Sequence, residues 1–151
     1  MQQPYQPDGN GSNPSAVNRP GSQYGILLMD DEESILEPFG KLLSMKGFLI
    51  YTACNGEQAV TLYQQAISSK RKIDVVVIDL TIPEGMGGIE TVIRLKEIDP
   101  DVRAIATTGH FQDCLTDEYK NYGFLEILPK PFTLKELLEV INRVMRTSES
   151  P

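Results

Sequence analysis

The chain has 151 residues, 40% of them apolar and 23% charged, which is enough for one domain with its own core and little besides. A formal charge of −7 speaks against nucleic acid as a direct partner, because phosphate backbones are held by basic surfaces. No apolar run approaches the roughly 20 residues that cross a bilayer, so no membrane insertion is expected, and no basic-then-apolar leader opens the chain. Cys54 and Cys114 show neither CxxC spacing nor a histidine partner, which predicts reduced, buried or half-buried thiols in a cytoplasmic protein.

Residues 1–23 mix Pro4, Pro7, Pro14 and Pro20 with Gly, Ser, Asn and Gln, and hold almost no aliphatic side chains. Such a segment cannot bury enough surface to offset its chain entropy, so a disordered leader or linker is predicted there. One folded domain is predicted over 24–146, with a flexible end at 147–151. Its first apolar run, Gly25–Met29, has strand length and leads into a helix with the stripe Ile35, Leu36, Phe39, Leu42 and Leu43. Pro38 falls inside that helix and should remove a hydrogen bond or bend the axis. A second strand, Phe48–Ala53, precedes Asn55 as N-cap of a helix with Ala59, Leu62, Tyr63 and Ala66 on one side.

The third strand is predicted over Ile73–Ile78, and Asp74-Val75-Val76-Val77-Ile78 is apolar after its first residue rather than alternating. That pattern suits a central strand covered on both faces. A helix carrying Ile89, Val92, Ile93 and Leu95 follows and ends before Pro100. Val102–Thr107 is the fourth strand, Phe111 to Tyr122 the weakest helix, and Phe124–Leu128 the fifth strand. Thr133 caps the last helix, Glu136 completes a capping box, and Leu134, Leu137, Leu138, Ile141 and Val144 form its buried face.

Five strands alternating with five helices imply one α/β domain, a parallel sheet with helices on both faces. Right-handed crossovers make the doubly wound (βα)5 order 2-1-3-4-5 the natural arrangement. The first and third strands are then neighbours where the winding reverses, and ligands bind beyond their carboxyl ends. Asp30 and Asp31 follow the first strand, and Asp79 follows the third. A single Asp after a strand is ordinarily a cap or turn residue, and acids also suit the start of a helix. Three at adjacent strand ends repel one another and call for a shared hard dication, Mg²⁺ or Mn²⁺. The fourth strand adds the Thr108 hydroxyl and the fifth the Lys130 amine. Acids with a metal, one hydroxyl and one amine suit phosphoryl transfer to a carboxylate, where charge stabilisation is the main task.

From Gln23 to about Arg146 the sequence resembles the receiver domain of two-component response regulators. The matching pieces, in order, are Leu28-Met29-Asp30-Asp31-Glu32, Val77-Ile78-Asp79-Leu80-Thr81-Ile82-Pro83, the Gly87-Gly88 turn, Thr108-Gly109 and Lys130-Pro131-Phe132. The resemblance implies a flavodoxin-like fold and a signalling module rather than an enzyme. It makes Asp79 the nucleophile that takes a phosphoryl group from the phosphohistidine of a sensor histidine kinase or a histidine phosphotransfer domain. It makes Asp31 the main metal ligand, helped by Asp30, by Asp79 itself and by the Thr81 backbone carbonyl. Lys130 would neutralise phosphoryl oxygens, and Thr108 would be the hydroxyl that turns inward to bond them. Lys130-Pro131 would adopt a cis peptide, and Thr81 and His110 would flank the phosphoryl group. A homodimer through the last helix and last strands is a further implied partner.

One position departs from the family pattern. The aromatic switch residue belongs three positions before the lysine, and Ile127 stands there. An aliphatic side chain has no ring to swing, so a weaker or differently built switch is expected. His110, the single histidine, is more simply read as an exposed loop residue.

Competing chemistries fit less well. An aspartyl-nucleophile phosphatase of the haloacid-dehalogenase type needs a second Asp two residues after the nucleophile, where Thr81 stands. A flavodoxin-like binding module needs a phosphate loop where the acids stand. A degenerate receiver acting as a protein-interaction scaffold would have lost part of the acidic, Thr and Lys set, which is complete. With about five residues after the last helix, no DNA-binding output domain is expected, and a stand-alone regulator or the terminal receiver of a hybrid histidine kinase is the expectation. The Pro-rich leader and Gly85, Gly87 and Gly88 lean towards the hybrid kinase.

Overall fold

Strands β1 (Gly25–Met29), β3 (Val75–Asp79) and β4 (Ala104–Thr108) are buried at every position. The computed structural model, which describes residues 23–83 and 85–147, flanks these strands with β2 (Leu49–Ala53) and β5 (Glu126–Pro129). All pairs are parallel and the order is β2-β1-β3-β4-β5, as the alternation predicts. The expected leader, apart from Gln23, and the tail beyond Thr147 lie outside the described residues.

Because successive side chains point to opposite faces of a strand, each central strand feeds two cores. Leu27, Met29, Val76 and Ile78 pack with α2 (Gly56–Ser68) and α3 (Gly88–Ile98) through Ala59, Tyr63, Val92 and Leu95. Ile26, Leu28, Val75 and Val77 pack with α1 (Glu33–Met45) and α5 (Leu134–Thr147) through Leu36, Leu43, Leu137 and Ile141. The helix starts follow the predicted chemistry. Asn55 Oδ1 accepts from the Gln58 N–H at 3.0 Å. At α5 the Glu136 N–H donates to Thr133 Oγ1 at 3.1 Å, and the Thr133 N–H donates to Glu136 Oε1 at 2.9 Å.

Several details differ from the sequence expectations. Phe48 and Ile73 are buried but precede their strands, while Asp79 is the last residue of β3, opposite Thr107. The buried face of α1 is centred on Leu36, Gly40, Leu43 and Ser44, which leaves Leu42 on its rim, 40% exposed. Pro38 lies inside α1, exposed, without ending the helix. The stretch predicted as one weak helix is instead a short 3-10 turn, Phe111–Cys114, and a single-turn α4, Glu118–Tyr122, neither with a fully buried residue. Both cysteines are free, but Cys54 is exposed rather than buried, its thiol donating to Gln58 Oε1 at 3.2 Å. Among the described residues, no helix is long and apolar enough to cross a membrane.

Candidate functional site

At the carboxyl edge of the sheet, the backbone turns that end β1 and β3 aim two carboxylates into one crevice. Asp30 is 4% exposed, and its Oδ1 accepts from the Glu32 N–H at 2.9 Å, bending the chain into α1. Asp79 is 1% exposed, and its Oδ1 accepts from both the Thr81 N–H at 3.1 Å and the Thr81 hydroxyl at 3.0 Å. Behind it, α3 begins so close that a Cβ on Gly88 would lie 2.6 Å from the Asp79 carbonyl oxygen. Only glycine fits there, which gives Gly88 its physical reason; a Cβ on Gly87 would meet nothing within 4 Å.

Lys130 enters from the end of β5, where its N–H donates to the Thr108 carbonyl at 2.7 Å and its bond to Pro131 is cis. Its Nζ lies 2.8 Å from Asp30 Oδ2, 3.3 Å from Asp79 Oδ2 and 3.8 Å from Glu32 Oε1. Burial alone would push this ammonium down, but the hydrogen bond to Asp30 and the charges of Asp30 and Asp79 hold it above the ordinary lysine value. Asp30 is also pushed up, first by burial and further by the charge of Asp79, against the pull of Lys130 and the Glu32 N–H. The two shifts have different causes: the amine is raised by the two carboxylates that face it, the carboxylate chiefly by its own burial.

Among the described residues, Asp30, Asp31 and Glu32 each offer a carboxylate oxygen within 4.8 Å of the others. Asp79, expected to complete the acidic trio, is joined to that group through Lys130 instead. Such a set of hard oxygen donors with uncompensated negative charge fits a divalent cation. Thr81 and His110 are both exposed beside the crevice. Thr108 is fully buried; its hydroxyl donates to Asp113 Oδ2 at 2.7 Å and accepts from the His110 N–H at 3.0 Å. Ile127 is half-buried on β5, opposite Ala106 in register, and packs against the core that holds Phe124. Sequence reasoning missed Asp113, whose neighbourhood has no periodic pattern, and gave Glu32 no role although it continues the Asp30-Asp31 run.

A family model for the response regulator receiver domain matches residues 26–142. The chain belongs to this family. As a receiver domain it is 32% identical over 120 residues to sporulation initiation phosphotransferase F of Bacillus subtilis, covering 80% of this chain and 92% of that protein. It is 25% identical over 124 residues to sensor kinase CckA of Brucella abortus, covering 82% of this chain but only 13% of the kinase. Its fold is similar to a chain of the CheX-CheY-BeF3-Mg²⁺ complex from Borrelia burgdorferi, with a TM-score of 0.70, 27% identity and coverage of 83% of this chain and 89% of that one. Receiver domains take phosphoryl groups from histidine kinases or phosphotransfer proteins.

Proposed function

We propose that this receiver domain accepts a phosphoryl group on Asp79 from the phosphohistidine of a sensor histidine kinase or a histidine phosphotransfer domain. The observation that carries this reading is the single ammonium of Lys130 set between Asp30 and Asp79 at the switch point of the sheet. Asp79 Oδ1 is occupied by Thr81, which leaves Oδ2, facing Lys130, as the attacking oxygen. An O–P bond forms there as the P–N bond to the donor imidazole breaks, and the result is an acyl phosphate. Lys130 offers its charge to a phosphoryl oxygen, and Thr108 supplies a hydroxyl to another after turning from its resting partner.

Asp30, Asp31, Asp79 and the Thr81 carbonyl would hold Mg²⁺ or Mn²⁺, with Glu32 alongside. When bound, the cation neutralises charge on the phosphoryl oxygens. The Borrelia complex, in which Mg²⁺ accompanies BeF3, supports this choice of ion. The name of the Bacillus relative, a phosphotransferase, supports a place within a phosphorelay. The relation to CckA, a sensor kinase of which only 13% is matched, supports a setting inside a larger kinase.

Incubation with acetyl phosphate and Mg²⁺, followed by mass spectrometry, tests the reading. One added phosphoryl group is expected on the unmodified sequence and none on Asp79→Asn. Undiminished labelling of the variant rejects Asp79 as acceptor.

A further inference from the structure

A hydroxyl has one proton to give. That of Thr108 is already given to Asp113, at a distance typical of a charge-assisted bond, while its oxygen accepts from the His110 N–H. Thr108 therefore cannot donate to a phosphoryl oxygen until the bond to Asp113 breaks. Asp113 is half-buried on the 3-10 turn Phe111–Cys114 and has no ion-pair partner among the described residues. Among those residues, its one side-chain hydrogen bond is the one to Thr108. The flanking turn is lightly anchored: Phe111 is 65% and Leu115 69% exposed.

Resting on the acceptor reading of Asp79, we propose that Asp113 is a positioning residue that acts through Thr108. It holds the hydroxyl in its resting orientation and so opposes phosphoryl binding. When Thr108 turns, Asp113 loses its donor, and the turn that carries Phe111 and Leu115 is released. Ile127, aliphatic and packed into the core, has no ring to move, so the message from Thr108 to the surface runs through this carboxylate rather than through β5.

The phosphoryl mimic beryllofluoride with Mg²⁺ provides the test. Asp113→Ala should bind it about tenfold more tightly than the unmodified sequence, equivalent to ~1.4 kcal/mol. Asp113→Asn, which keeps an acceptor oxygen without the charge, should fall between the two. In a Thr108→Val background, where no hydroxyl remains to release, Asp113→Ala should bring no gain. No gain in either background, or equal gains in both, overturns the proposal. A second measurement needs no phosphoryl chemistry: in metal-free protein, side-chain NMR couplings of Thr108 should report one rotamer before and a mixture after Asp113→Ala. An unchanged rotamer overturns the latch alone, whereas failure of the unmodified sequence to bind beryllofluoride overturns the acceptor reading.

Discussion

The Lys130 ammonium lies closer to Asp30, at 2.8 Å, than to Asp79, at 3.3 Å, so the ends of β1 and β3 are tied by a cation from β5. In the resting crevice that cation restrains the acids without balancing them. The excess negative charge underlies the first two predictions.

Mg²⁺ should stabilise the fold. At a hundredfold excess over its dissociation constant the gain should be about 2.7 kcal/mol in urea or thermal unfolding. Asp31→Asn should lose most of this gain without weakening the metal-free protein, since it removes one of the crowded charges. A metal-free loss as large as the loss of the Mg²⁺ gain would contradict this crowding of charge.

Lys130→Met should lower metal-free stability by about 1–3 kcal/mol, because it strips Asp30 and Asp79 of a charged hydrogen-bond donor. The sign follows from the shifted groups. With Lys130 gone, Asp30, already pushed up by burial, is pushed further. The folded state then holds a proton that the unfolded chain gives up, so stability falls as pH rises above the ordinary Asp value of 3.8. The deficit should therefore be small near that pH and full at neutrality. Lys130 itself, raised above 10.5, stabilises fully below that value, and this contribution fades at higher pH as the folded-state amine titrates. Denaturant unfolding across pH measures both limbs.

Tyr63→Phe removes a buried hydroxyl that donates to Asp99 Oδ2 at 2.7 Å and should cost about 1–2 kcal/mol at neutral pH. Burial first, and then the bond to Asp99, push the Tyr63 phenol well above its ordinary value of 10.0. Above that pH the unfolded chain loses a proton that the folded chain keeps, so the contribution of Tyr63 declines as pH rises. The gap between the two proteins should close in alkaline urea titrations. A constant gap would show that the phenol is not held neutral.

Gly88→Ala would place a Cβ 2.6 Å from the Asp79 carbonyl oxygen and 3.1 Å from Leu80 Cα, and the backbone behind Asp79 must move. A loss of about 1–3 kcal/mol is expected, together with slower labelling by acetyl phosphate. Gly87→Ala is the control. Nothing lies within 4 Å of its Cβ, its φ is −79°, and it should behave almost like the parent.

The sheet order was legible because alternating apolar runs and amphipathic stretches allow few windings, and the crevice was legible because its charged residues all stand at or just beyond strand ends. Element edges were less so. Phe48 and Ile73 look like strand residues because they are buried, yet the ladder hydrogen bonds begin beyond them. Leu42 has the right spacing for the buried stripe but sits one step round the helix from the sheet. Asp113 could not be read from spacing at all, since its significance lies in a bond to a residue five positions back, across an irregular turn.

The two-sided burial of β3 has one more consequence. Strands with a polar face are kept in register because a slip of one residue would turn the wrong side chains to water. Val75, Val76, Val77 and Ile78 have no wet side, so polarity within the strand sets no such stop. The stops stand at its ends: Asp74 accepts the Gly25 N–H at 2.8 Å, and Asp79 opens onto the crevice. Sliding in either direction would drag a carboxylate between apolar layers, where an unpaired charge is too costly to keep. Asp79, the proposed acceptor, is thus also a bookend, locking the alignment of the strand it terminates.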